Sequence, residues 1–136
     1  MIVVSDTSVI SGLIQAESLF ILQKLYKRIV IPNEVFFELN KLDKRYLDQL
    51  SNDWIEVIKV TKTPLLNELS SILDLGEAEA IMLARELNAD VLLIDEKKGR
   101  MIASKMGVKI TGILGTLIEA KRQNLIKEVK PILKTL

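Results

Sequence analysis

Neither cysteine nor histidine occurs among the 136 residues of this chain. Without thiols there are no disulfides and no thiolate metal sites. Without imidazole the usual general base, the Ser-His-Asp triad and the nitrogen ligands of catalytic zinc are excluded together. Any metal must therefore be held by oxygen, which favours Mg²⁺ or Mn²⁺ over Zn²⁺. Glycine-rich phosphate loops are missing as well: no Gly-x-x-x-x-Gly-Lys-Ser/Thr or Gly-x-Gly-x-x-Gly segment is present, which argues against a nucleotide-binding α/β enzyme. The apolar run Ile2-Val3-Val4 is broken by Ser5-Asp6, too short for a signal peptide or a membrane span. A cytoplasmic protein is expected. There is no repeat, low-complexity tract or linker, so residues 1–136 are expected to form a single domain.

The most informative stretch runs from Gly76 to Glu96. Glu77 shares a helical stripe with Ala80, Ile81 and Ala84, the spacing of a sheet-facing side. A carboxylate on a buried face costs free energy unless a cation or hydrogen bonds satisfy it. Glu79 falls with Met82, Leu83 and Glu86 and is expected to be more exposed. Next comes the apolar run Val91-Leu92-Leu93-Ile94, ending in Asp95-Glu96. The pattern predicts helix, strand, and an acid at the strand's C-terminal end, where open parallel sheets bind ligands.

Similar punctuation recurs along the chain. Ile2–Ser5 reads as a buried strand closed by Asp6-Thr7-Ser8, either a helix cap or a site; a cap accounts for one oxygen, and this turn offers three. An amphipathic helix is predicted over 18–25 and a second strand over 28–31. Pro32 then opens a helix over 33–39. On that helix Glu38 lies on or beside the stripe of Val35, Leu39 and Leu42 and is favoured over Glu34 to face a pocket. Residues 43–54 are charged and predicted helical, with Trp54 as a core or hinge anchor in preference to a base-stacking platform. A third strand, at an edge, spans 55–60, and a helix follows over 65–73 after Thr63-Pro64. The basic stretch 96–106 is a loop and helix that is either a solvated face or a phosphate contact, and Gly107 ends it as a C′ glycine. A last strand over 108–111, a helix over 112–121 and a final one over 126–136 complete the series. Strands alternating with helices describe a parallel sheet covered on both faces.

In that arrangement Asp6, Glu38, Glu77 and Asp95 can converge on one sheet edge. Four carboxylates in one pocket repel one another unless divalent cations neutralise them, and Mg²⁺ or Mn²⁺ is the expected occupant. Setting four of the 18 acids aside leaves 14 against 19 bases, a balance of +5, in keeping with a polyanionic partner. Metal-assisted phosphodiester hydrolysis fits, and it needs no histidine. An aspartyl phosphotransfer domain is disfavoured, because no second acid stands two residues after Asp6.

Taken together, Asp6-Thr7-Ser8, Pro32 through Glu38, Leu75-Gly76-Glu77-Ala78-Glu79-Ala80 and Leu93-Ile94-Asp95-Glu96 resemble a PIN domain over nearly the whole chain. Thr111-Gly112-Ile113-Leu114-Gly115 and Glu119-Ala120-Lys121 are similar to a prokaryotic branch related to the VapC toxins. The resemblance implies an α/β/α sandwich with a five-stranded parallel sheet, a Mg²⁺- or Mn²⁺-dependent ribonuclease acting on RNA, frequent homodimers, and often a toxin held in check by an antitoxin. Residue by residue it implies that Asp6, Glu38, Glu77 and Asp95 are the metal-binding, catalytic acids. Glu77 stands where typical members have aspartate. Thr7 and Ser8 would orient Asp6 or a bound water, and Thr111 would line the rim. Many members carry a further acid beyond the position of Asp95, where this chain has Lys97, Lys98 and Arg100. A non-catalytic binding or scaffold module on the same fold is the competing expectation.

Overall fold

The computed structural model of the protein describes residues 1–50 and 53–136. Short apolar, largely β-branched runs form the strands β1 (Val3–Ser5), β2 (Ile29–Pro32), β3 (Ile55–Ile58), β4 (Val91–Leu93) and β5 (Ile110–Thr111). Between and after them lie the helices α1 (Thr7–Gln15), α2 (Phe20–Tyr26), α3 (Asn33–Leu39), α4 (Lys44–Leu47), α5 (Pro64–Ser70), α6 (Leu75–Glu86), α7 (Lys97–Lys105), α8 (Ile113–Arg122) and α9 (Lys130–Leu133). The strands form one parallel sheet in the order β3-β2-β1-β4-β5. The chain builds outward from β1 to β3, then crosses back to place β4 on the other side of β1, in register at Val3–Val91, Val4–Leu92 and Ser5–Leu93. The gap between the C-terminal ends of β1 and β4 is thus the switch point at which doubly wound sheets bind ligands.

Alternation along each strand divides the interior into two cores. Val3, Ile29, Ile31 and Leu93 face one way and pack with α1, α2 and α8 through Ile10, Leu13, Leu22 and Leu117. Val4, Leu92 and Ile94 face the other way, toward Leu66 and Leu69 of α5, the alanine-rich side of α6 and Ala103 of α7. The result is the expected three-layer α/β/α sandwich. Trp54 is buried in the first core, the core alternative of the two anchoring roles expected for it. Gly107 takes φ +80° just past the end of α7, the left-handed C′ conformation that glycine adopts without strain.

The structure departs from the sequence reading at one whole helix and at several helix boundaries. The sequence reading placed no helix between the turn at Asp6-Thr7-Ser8 and residue 18, whereas Thr7–Gln15 form α1. The charged segment 43–54 is not one helix: α4 gives way to a 3₁₀ turn at Asp48–Leu50, and residues 51 and 52 lie outside those described. Of 126–136 only Lys130–Leu133 is helical, with Pro131 in its first turn, where a missing N–H costs nothing. Among the described residues no helix is long and apolar enough to cross a membrane.

Candidate metal centre

Four helices begin at the C-terminal edge around the β1/β4 gap, and each has an acid at its start. Asp6 is the N-cap of α1, its Oδ1 accepting from the Val9 N–H at 3.1 Å. Asp74 is the N-cap of α6, its Oδ1 accepting from the Glu77 N–H at 2.8 Å. Glu96 stands at the N-cap position of α7 without a capping bond. Asp95 accepts from the Ile113 N–H, in the first turn of α8, at 3.0 Å. The positive ends of helix dipoles favour carboxylates, which lets this edge gather acids that would otherwise repel.

Asp6, Glu38 and Glu77 come together in a single pocket of about 220 Å³, with Thr7, Ser8, Ser11, Asp74 and Glu96 completing its walls. Asp6 is almost fully buried, and the Ser8 hydroxyl donates to its Oδ2 at 3.0 Å. Thr7 acts elsewhere than the resemblance implied, donating to Glu38 Oε2 at 3.1 Å and so fixing the half-buried carboxylate on α3. Glu77 faces inward as its stripe predicts and is only 9% exposed. Close seating of these acids depends on glycine. A methyl group at Gly76 would collide with the Glu38 carboxylate, and one at Gly99 would come within 2.7 Å of Glu77 Oε2.

Asp95 is the exception to the expected convergence. Its carboxylate turns toward the start of α8 and does not line the pocket, and Glu96 takes the place on the wall. Asp95 is still near enough for its charge to bear on Asp6. Successive residues at a strand end point to opposite sides, so the pair Asp95-Glu96 contained the ambiguity from the outset. Thr111 does not reach the pocket wall; its hydroxyl lies against Gly115. Asp74 went unread as a site residue, although the spacing Asp74-x-x-Glu77 is that of a capping box and could have singled it out. Glu34 is absent from the wall too, its N–H donating to Glu79 Oε1 at 3.3 Å and joining α3 to α6. Glu79 is half-buried, more exposed than Glu77 as its position on the helix predicts.

Three of the pocket acids have raised pKa values. Burial, opposed by the Val9 and Ser8 hydrogen bonds and reinforced by the charges of Asp95 and Asp74, pushes Asp6 up to about 7. Burial likewise raises Glu77 to about 8, helped by a hydrogen bond with Asp74 that favours the protonated acid and by the charges of Asp74, Glu96 and Asp6. Glu38 is raised by burial and then by Asp74. Glu119 shows the opposite behaviour on the surface, where Arg122 and Gln123 hold it down at about 2. Lys41 offsets part of the rise at Glu38, and Asp6 and Glu77 face a deficit of opposing positive charge.

A divalent ion fits that deficit. Glu77 Oε2 is buried and has no hydrogen-bond partner, and every candidate donor is a hard oxygen, as Mg²⁺ and Mn²⁺ require. Among the described residues no three acids already stand in ligating positions about one point. Mg²⁺ in particular keeps several waters and takes only one or two carboxylates, so a closed protein cage is not what this chemistry calls for.

Two strands away along the same edge, roughly 10 Å by strand spacing, an open groove of about 690 Å³ is lined by Asn33, Lys59, Val60, Thr61, Lys62 and Glu79. On the other flank Arg100 folds back so that its Nη1 donates to the Ile94 carbonyl at 3.4 Å, and Gly112 leaves room for it beside Asp95.

Comparison with known proteins agrees with this description. A family model described as PIN domain matches residues 2–136. A solved structure, a PilT N-terminus domain protein from the hyperthermophilic archaeon Sulfolobus solfataricus P2, superposes with a TM-score of 0.67 at 24% identity, covering 88% of this chain and 93% of that one. At that identity the likeness shows the fold. No curated protein matches.

Proposed function

The chain belongs to the PIN-domain family, generally a metal-dependent nuclease fold, and from that premise we propose that it is a Mg²⁺- or Mn²⁺-dependent ribonuclease cleaving RNA phosphodiester bonds at the acidic pocket. The observation that carries the proposal is the meeting of Asp6, Glu38 and Glu77, from three separate elements, in one pocket where Glu77 Oε2 is buried without a partner.

Asp6 and Glu77 are the residues that would hold the ion, with Glu96 at the wall. A divalent ion bound there supplies a water of lowered pKa and neutralises charge developing on phosphate. The protein's own contribution is orientation and proton transfer. Ser8 fixes one oxygen of Asp6 and the Val9 N–H fixes the other, so the most buried acid cannot swing away. Glu38, steadied by Thr7 and raised above the usual carboxylate range, is suited to accept a proton at its carboxylate and return it to the leaving oxygen. In a chain without histidine this role falls to a carboxylate. Lys59 and Lys62, at the groove two strands away, would hold the phosphates of the flanking strand.

The test is cleavage of a mixed-sequence RNA with and without Mn²⁺ by the wild type and Asp6→Asn, alongside melting curves of both. The expected result is cleavage only by the wild type with metal. Stabilisation by Mn²⁺ with no cleavage of any RNA would support the binding-module reading, which the diversion of Asp95 to the start of α8 favours.

A further inference from the structure

We infer that Asp74 is a ligand of the same divalent ion and not only the cap of α6, an inference that rests on the metal reading proposed above. Capping accounts for one of its oxygens, since Oδ1 accepts from the Glu77 N–H at 2.8 Å. It does not account for the charge. Asparagine and serine cap about as well as aspartate, and either would do so here without repulsion. Instead a carboxylate stands in the wall of a pocket that already contains Asp6, Glu38 and Glu77, where like charges repel. A divalent ion among the four carboxyls turns that shared repulsion into shared attraction.

A second observation points to the same place. Glu77 is nine-tenths buried and its Oε2, beside Gly99, has no hydrogen-bond partner, so a ligand is called for at that carboxyl. The capping bond holds Asp74 against the backbone of Glu77, so the two carboxyls start from one helical turn and share the pocket wall. Asp74 itself is exposed, which leaves that side of the ion open to the waters Mg²⁺ retains and to a substrate. Asp6 already combines the same two roles, capping α1 with Oδ1 while lining the pocket.

Titration of the protein with Mn²⁺ alone, by calorimetry, separates the roles. Asp74→Asn keeps a capping oxygen but removes the charge and should weaken Mn²⁺ binding about tenfold or more, with melting in EDTA unchanged or higher. Asp74→Ala should lose both affinity and stability. Glu34→Gln, which removes an acid outside the pocket, controls for long-range charge and should shift affinity far less. Binding by Asp74→Asn equal to the wild type, or reduced no more than in Glu34→Gln, would overturn the inference while leaving the metal site in place. A wild type that takes up no Mn²⁺ would overturn the metal reading itself.

Discussion

Gly76 lies directly against the carboxylate of Glu38, so closely that no side chain at position 76 is compatible with the observed position of that acid. The contact ties the first turn of α6 to α3 across the mouth of the pocket, and a backbone position thereby decides where the Glu38 carboxylate sits. Gly76→Ala should separate stability from function. Alanine is favoured over glycine in a helix by up to about 1 kcal/mol, and the group it displaces is the end of a flexible side chain, so the melting temperature in EDTA should change little. Mn²⁺-dependent cleavage should fall about tenfold or more as Glu38 is pushed aside. Cleavage at the wild-type rate would show that Glu38 does not act from its observed position.

The two neighbouring acids after β4 should be unequal. Glu96 stands in the pocket wall while Asp95 faces the start of α8. Glu96→Gln is therefore expected to weaken Mn²⁺ binding more than Asp95→Asn, whose amide oxygen can still accept from the Ile113 N–H. Calorimetric titration of the two variants ranks them, and the reverse order would return Asp95 to the role implied by its family position.

Stability of the metal-free protein should fall with rising pH. Asp6 at about 7 and Glu77 at about 8 hold protons in the folded state that the unfolded chain releases near pH 4. The folded form thus binds more protons between those limits, and stability is lost as pH climbs through them. For the buried Asp6 the loss is on the order of a few kcal/mol. Melting curves in EDTA from pH 5 to 8.5 should decline. The same series in Mn²⁺ should decline less, because the ion binds the deprotonated acids. A flat EDTA series would mean that the acids are not buried together.

Lys59 and Lys62 should contribute to RNA affinity without regard to sequence. Each phosphate contact to a single strand adds about 0.7 to the slope of log affinity against log salt. The double alanine variant, measured by anisotropy with an RNA oligonucleotide in the Asp6→Asn background, should lose roughly 1.4 from that slope. An unchanged slope would remove the groove at the end of β3 from the RNA path.

The inward direction of Glu77 was legible because helical periodicity is local: Ala80, Ile81 and Ala84 declare the buried side whatever the partner. Asp6 was legible because a strand that stops at an acid marks a sheet edge. The role of Asp95 was not, since one residue beyond a strand the choice of side depends on the next helix, and the first turn of α8 offered it an N–H. The hydrogen bond of Thr7 was not legible for a related reason. Its partner Glu38 is 31 positions away, and no local spacing links them.

Residue order alone determined the alternation of strands and helices, the exclusion of thiol and imidazole chemistry, and the confinement of any metal to oxygen ligands, because each follows from side-chain type or from contacts a few positions apart. The fold decided which acids meet. Placing β4 beside β1 brings positions 6, 38, 74, 77 and 96 to one wall, and glycines at 76 and 99 let carboxylates from neighbouring helices close on it. Those are distances between remote parts of the chain, fixed by how two cores pack on opposite faces of one sheet.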